Sequence, residues 1–168
     1  MALATITALE GGGPRPPGSQ MAMTAEGEVC GYLSGGCIEP DIVGHAAGVL
    51  ADGRPRLLRY GKDGPFDLPL PCGGGMGVLL ERLLPDDPVL PVWRARGRRE
   101  LLWQSDGCAR SLRSLGSDDP PHAPVAWDGT RLSLRMPPPW RLIVAGHNPG
   151  ALAIALLGAQ TRSEEHTS

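Results

Sequence analysis

Two cysteines in this 168-residue chain stand beside paired glycines: Cys37 in Ser34-Gly35-Gly36-Cys37-Ile38-Glu39, and Cys72 in Leu70-Pro71-Cys72-Gly73-Gly74. A thiolate is a soft ligand for metal or sulfur chemistry, and glycines beside it let the backbone approach a ligand closely. Ile38, Ile42, Val43, Ala46, Val49 and Leu50 recur at helical spacing behind Cys37. The segment therefore predicts a strand, a glycine turn and a helix N-terminus whose N–H groups are free for an anion. A thiol so placed can ionise well below the usual range of about 8.5. The plainer reading makes Cys37 a small residue packing a turn. Cys72 carries the same two readings, with Gly73 and Gly74 either wrapping a ligand or closing a tight loop.

The other candidates are polar. Arg15, in Pro14-Arg15-Pro16-Pro17-Gly18, can pair with a phosphate through its planar fork or simply be solvated. Ser34 and Glu39 either touch a ligand or cap the helix, and capping is the preferred reading for Glu39. His45 has no second ligand at metal spacing, and the four cysteines form no Cys-x-x-Cys pair, so no metal site and no disulfide framework is expected. Gly146-His147-Asn148-Pro149-Gly150 follows an apolar run but departs from Gly-x-Gly-x-x-Gly, a weak basis for NAD. No catalytic residue is assigned.

The elements that must position these residues follow from periodicity and punctuation. Ala2–Leu9 reads as a strand, and Met21–Thr24 with Glu28–Leu33 as a hairpin about Glu26-Gly27. The helix runs to about Asp52, where Gly53 stops it. Arg56–Tyr60 and Met76–Leu83 are strands. Arg99–Trp103 and a hairpin over Val125–Arg135, turning at Asp128-Gly129, follow a weaker stretch, with a mobile linker expected over Ser114–Pro124. Trp140–Gly146 reads as a buried-type strand leading into a helix over Ala151–Ala159. The fold class expected is α/β: a small mixed α+β N-terminal domain over 1–85, a hairpin-containing linker region over 86–138, and the first βα unit of a truncated Rossmann-like domain over 139–160, with 161–168 an unstructured tail.

Composition narrows the function classes. Glycine (24 residues) and proline (18) make a quarter of the chain, so turns are many. A net charge of −2 leaves no electrostatic footprint for nucleic acid. No apolar run is long enough to span a bilayer, and the first residues do not form a signal peptide, so a cytoplasmic protein is expected.

Taken together, Pro14–Gly18, Ser34–Glu39, Leu50-Ala51-Asp52-Gly53-Arg54-Pro55 and Leu70–Gly74 resemble the xanthine dehydrogenase accessory protein family, XdhC/CoxI, in residues, order and spacing over roughly 2–84. Arg141–Leu157 resembles the start of that family's C-terminal Rossmann domain, so the chain reads as truncated at both ends. The resemblance implies an accessory protein, more a maturation factor than an enzyme. It would bind the molybdenum cofactor (molybdopterin), favour its sulfurated state and help insert it into xanthine dehydrogenase or a related molybdenum hydroxylase. Arg15, Ser34, Gly35, Gly36, Cys37, Cys72, Gly73 and Gly74 are the cofactor-binding candidates. A cysteine desulfurase and a second copy in a homodimer are the further partners considered; NAD is not expected to bind. Two competing readings stay open: an NAD-dependent oxidoreductase-like protein, and a non-functional fragment.

Overall fold

Strand β1 (Ala2–Glu10) is buried on both faces over residues 2–7, which is why its sequence does not alternate apolar with polar. In the computed structural model, which describes residues 1–61, 73–138, 141–160 and 164–167, β1 is the middle of a five-stranded sheet. Its partners are β2 (Gln20–Met23), β3 (Val29–Gly31), β4 (Arg56–Tyr60) and β5 (Gly75–Arg82), in the order β3-β2-β1-β5-β4, every neighbour antiparallel. One face carries Ala2, Ala4, Ile6, Met21, Met23, Leu58, Val78 and Leu80. Helix α1 (Glu39–Asp52) covers that face with Ile42, Ala46 and Val49, one side of a 3.6-residue repeat. Pro40 is tolerated in its first turn, and Gly53 ends it in the left-handed region at φ 70°, its N–H bonded to Val49 O at 2.9 Å.

The opposite face is covered by a second antiparallel sheet of β6 (Leu101–Ser105), β7 (Arg110–Ser114), β8 (Val125–Trp127) and β9 (Leu132–Met136), in the order β7-β6-β9-β8. Leu101, Trp103, Leu112, Leu134 and Met136 pack there with Leu3 and Leu83 of the first sheet and Val89 of the short helix α2 (Val89–Arg94). Where the sequence suggests a linker region over 86–138 with a strand at Arg99–Trp103 and one hairpin, the chain builds a helix and four strands. Asp87 starts α2 by accepting from Val89 N at 3.2 Å.

A buried ionic cluster joins the two sheets. Arg110 donates from Nε and Nη2 to Glu81 Oε2 at 3.1 and 3.0 Å, from Nη1 to Asp87 Oδ2, and from Nη2 to the Arg82 carbonyl at 2.9 Å. Ser105 Oγ donates to the same Glu81 oxygen at 2.6 Å. The side chains of Glu81, Asp87 and Arg110 are 0%, 6% and 6% exposed, so each charge depends on the others for what water no longer supplies.

The last elements are β10 (Arg141–Val144), α3 (Pro149–Gln160) and β11 (Glu164–Thr167), with β10 and β11 parallel. Asn148 Oδ1 accepts from Ala151 N at 2.8 Å and so caps α3. Ile143, Leu152, Ile154, Leu156 and Leu157 are all more than half exposed. The expectation of a buried-type strand is corrected here: β10 alternates between exposed and half-buried positions. The unstructured tail is likewise corrected, because residues 164–167 pair with β10; a parallel ladder rests on backbone bonds and needs no apolar rhythm. The described residues thus form a mixed α/β structure of two antiparallel sheets, one two-stranded parallel pair and few helices. Among them no helix is long and apolar enough to cross a membrane.

Candidate functional site

The turn after β3 is built around one carboxylate. Glu39, at the start of α1, reaches back over the glycines and accepts from Leu33 N (2.8 Å), Ser34 N (2.6 Å) and Gly35 N (3.2 Å) at Oε1. Its Oε2 accepts from Gly36 N (2.9 Å), Ile38 N (3.3 Å) and the Ser34 hydroxyl. Ser34 Oγ in turn accepts from Cys37 N at 2.9 Å and Ile38 N at 3.1 Å. Gly35 and Gly36 hold φ of 81° and 114°, a backbone that only glycine enters without strain, and open space lies where a Cβ would stand on either.

This corrects the sequence expectation of free N–H groups at the helix N-terminus. Every amide from 33 to 38 already has an acceptor within the loop, so Ser34, Gly35 and Gly36 have no spare amide for an anionic ligand. Glu39 fills that place itself. Cys37, in the same turn, is exposed and forms no disulfide among the described residues.

Burial alone would push the Glu39 carboxyl up. The Ser34 hydroxyl and the Ser34 and Leu33 amides outweigh it and bring the group from 4.5 down to about 2. A depressed carboxyl contributes stability that is present above the unfolded value and disappears as pH falls through the folded one. The stability advantage of wild type over Glu39→Gln should therefore be full above pH 4.5 and fade as pH approaches about 2. Acid titration of the two proteins by circular dichroism checks this; a difference that stays flat through that window contradicts it.

Arg15 reaches the same region from the loop joining β1 to β2. Its guanidinium lies over the Tyr32 ring, 5.1 Å from the centroid, and Tyr32 is half exposed. Below the turn, Tyr60 OH donates to Asp41 Oδ2 at 2.7 Å and ties the first turn of α1 to the end of β4. Burial first, then this acidic neighbour, raises the Tyr60 phenol well above its ordinary range. His45 faces Asp41 at 3.6 Å.

The register sets where the second glycine run lies. β1 and β3 both run toward the end of the sheet where β5 begins, since β5 pairs Gly75 with Glu10. The loops at 11–19, 32–38 and 73–75 therefore share one rim. Across the sheet β3 and β5 lie three spacings apart, about 14 Å, and along it β3 ends level with Ala4, six residues before Glu10 and Gly75. Gly73 has φ 71° and open space around it, while the Gly74 backbone packs against Gly61 and Gly11. Gly74 thus has a packing role at this rim. Cys72 lies outside the described residues.

Beside the rim, Glu10, Thr7, Leu57, Arg59, Gly75 and Trp127 line an open depression of about 210 Å³ between the sheets. Among the described residues no group of three His, Cys, Asp or Glu side chains could hold a metal ion. Chemically, the rim offers an exposed thiol for a soft atom and a guanidinium over an aromatic ring for an anionic group. The sequence names Arg15, Ser34, Gly35, Gly36 and Cys37 as candidates but not Tyr32, because nothing in the spacing of Arg15 and Tyr32 signals that the guanidinium lies over the ring.

The chain is similar to known proteins. Residues 1–61 match the XdhC and CoxI family. That matched segment ends before the Leu70–Gly74 signature. Over 166 residues it is 35% identical to an Escherichia coli (strain K12) protein named molybdenum cofactor insertion chaperone PaoD, covering 98% of this chain and 51% of the relative. The chain thus spans about half the length of that curated relative. A crystal structure from Bacillus halodurans, titled a xanthine dehydrogenase, superposes on 95% of this chain and 55% of its own, with a TM-score of 0.69 at 22% identity. That likeness is one of fold.

Proposed function

We propose that this chain carries the molybdenum cofactor (molybdopterin) as cargo, favours its sulfurated state and assists its insertion into a molybdenum hydroxylase such as xanthine dehydrogenase. The observation that carries the reading is the 35% identity to a protein named for molybdenum cofactor insertion. The donor set at the rim supports it. The exposed Cys37 thiol suits the molybdenum or its terminal sulfur, and Arg15 suits the cofactor's phosphate. Gly35 and Gly36, bare of side chains, leave a path to the sulfur. Their amides and those of Ser34 and Cys37 are not part of the grip, since Glu39 and Ser34 hold them.

In this reading Gly73 and Gly74 form the second wall of the same rim, Cys72 is a second candidate thiol for the cofactor, and β10–α3–β11 begins a Rossmann-like domain. A cysteine desulfurase is the chemical class that would supply the sulfur. The role is that of a cytoplasmic carrier and maturation factor; no chain residue is assigned a bond-breaking step. The test is transfer: a cofactor-free hydroxylase is mixed with cofactor, with and without the purified chain. The chain should speed the recovery of hydroxylase activity. Identical recovery in both mixtures overturns the proposal.

A further inference from the structure

We infer that Glu39 is the positioning residue of the rim: an internal anion that occupies the amide cradle and holds the Cys37 loop in the shape that meets the cargo. The inference rests on the reading that Cys37 contacts the cofactor, but its geometry stands apart from it. Six donors from four consecutive residues and Ile38 converge on one carboxylate, and the hydroxyl of Ser34 relays the set to Cys37 N. An ordinary N-terminal cap satisfies one or two amides. Here the carboxylate closes a turn in which Gly35 and Gly36 both sit at positive φ, a shape with few contacts of its own to keep it. Cys37 has its backbone N–H held through Ser34 while its sulfur stays exposed. An anion-seeking cradle is thus already full, which steers an incoming anionic group away from the helix N-terminus and leaves the sulfur as the point of contact.

Removing the carboxylate should do two things, the second of which loss of a mere structural contact would not. The loop loosens, so pterin retention should fall roughly tenfold, the usual cost of removing a residue that orients a ligand. The amides that Glu39 leaves free belong to the same turn as Cys37, and the attacking form of a cysteine is the anionic thiolate, so its alkylation should quicken about threefold or more. The experiment treats wild type, Glu39→Ala, Glu39→Gln and Cys37→Ser with iodoacetamide and maps each cysteine by peptide mass, with Cys108 as internal reference. Retained pterin is measured in parallel by fluorescence after acid release.

The expected result is faster Cys37 alkylation in Glu39→Ala, reversed by added acetate refilling the cradle, with Cys108 unchanged. Glu39→Gln, which keeps one acceptor oxygen, should lie between; it carries the test alone if the alanine variant does not fold. Unchanged Cys37 alkylation, or acceleration that acetate does not reverse, overturns the inference. If Cys37→Ser loses pterin while both Glu39 variants keep it, only the positioning role falls. If every protein, including Cys37→Ser, retains pterin equally, the cargo reading falls, and the alkylation result still decides the role of Glu39.

Discussion

Arg110→Met should destabilise the fold by about 3–5 kcal/mol, because it strands two buried carboxylates. Glu81 and Asp87 are 0% and 6% exposed, and Arg110 is their shared counter-ion. Truncating it removes both ion pairs and the bond to the Arg82 carbonyl while Glu81 remains desolvated, with Ser105 its one other donor among the described residues. The pair itself contributes much less than this loss suggests, since bringing the charges together out of water already costs most of what their attraction returns. Replacing Glu81 and Arg110 together by apolar residues should therefore recover much of the loss, although Asp87 then stays uncompensated. Urea unfolding of the single and double variants measures the difference. An Arg110→Met midpoint equal to wild type would mean that the sheets do not depend on this cluster.

Ile6→Ala should cost about 2–5 kcal/mol, whereas Leu157→Ala should fall within about 0.5 kcal/mol of wild type. Both remove an aliphatic side chain. Ile6 is fully buried on the central strand beneath α1, so its loss leaves a cavity that neighbours on three strands and a helix cannot close. Leu157 is 62% exposed on α3 and loses little contact with protein. Ile6→Val, which removes one methylene, should cost about 0.5–1.5 kcal/mol. Thermal and urea unfolding of the three variants give the order. Equal costs for Ile6 and Leu157 would contradict the placement of the core under α1.

What the sequence made legible follows from how strongly each residue constrains its neighbourhood. Helix α1 was readable because Ile42, Ala46 and Val49 mark a face and Gly53 ends it. The β2–β3 hairpin was readable from Glu26-Gly27 between short apolar runs. Helix α2 was hidden because Pro91 interrupts six residues too few for periodicity. β7 was hidden because Arg-Ser-Leu-Arg-Ser holds one apolar residue, and the strand is kept by pairing with β6 and by Arg110 reaching across to Glu81. At the site, the Ser-Gly-Gly-Cys signature located the turn but not its bonding. A glutamate in the first turn of a helix reads as a partner for the dipole, and nothing in its spacing reveals a carboxylate curling back over the amides of residues 33–36. Family resemblance supplied the proposed cargo, which no count of residues could.

The central claim is that the exposed Cys37 thiol on this rim contacts molybdenum cofactor. Its most direct measurement is the pterin that copurifies with the chain, released by acid, oxidised and read by fluorescence, for wild type and Cys37→Ser side by side. The account predicts pterin on the wild-type chain, at least about tenfold less on the variant, and the same melting temperature for both. Equal pterin on the two proteins, or none on either, would contradict it.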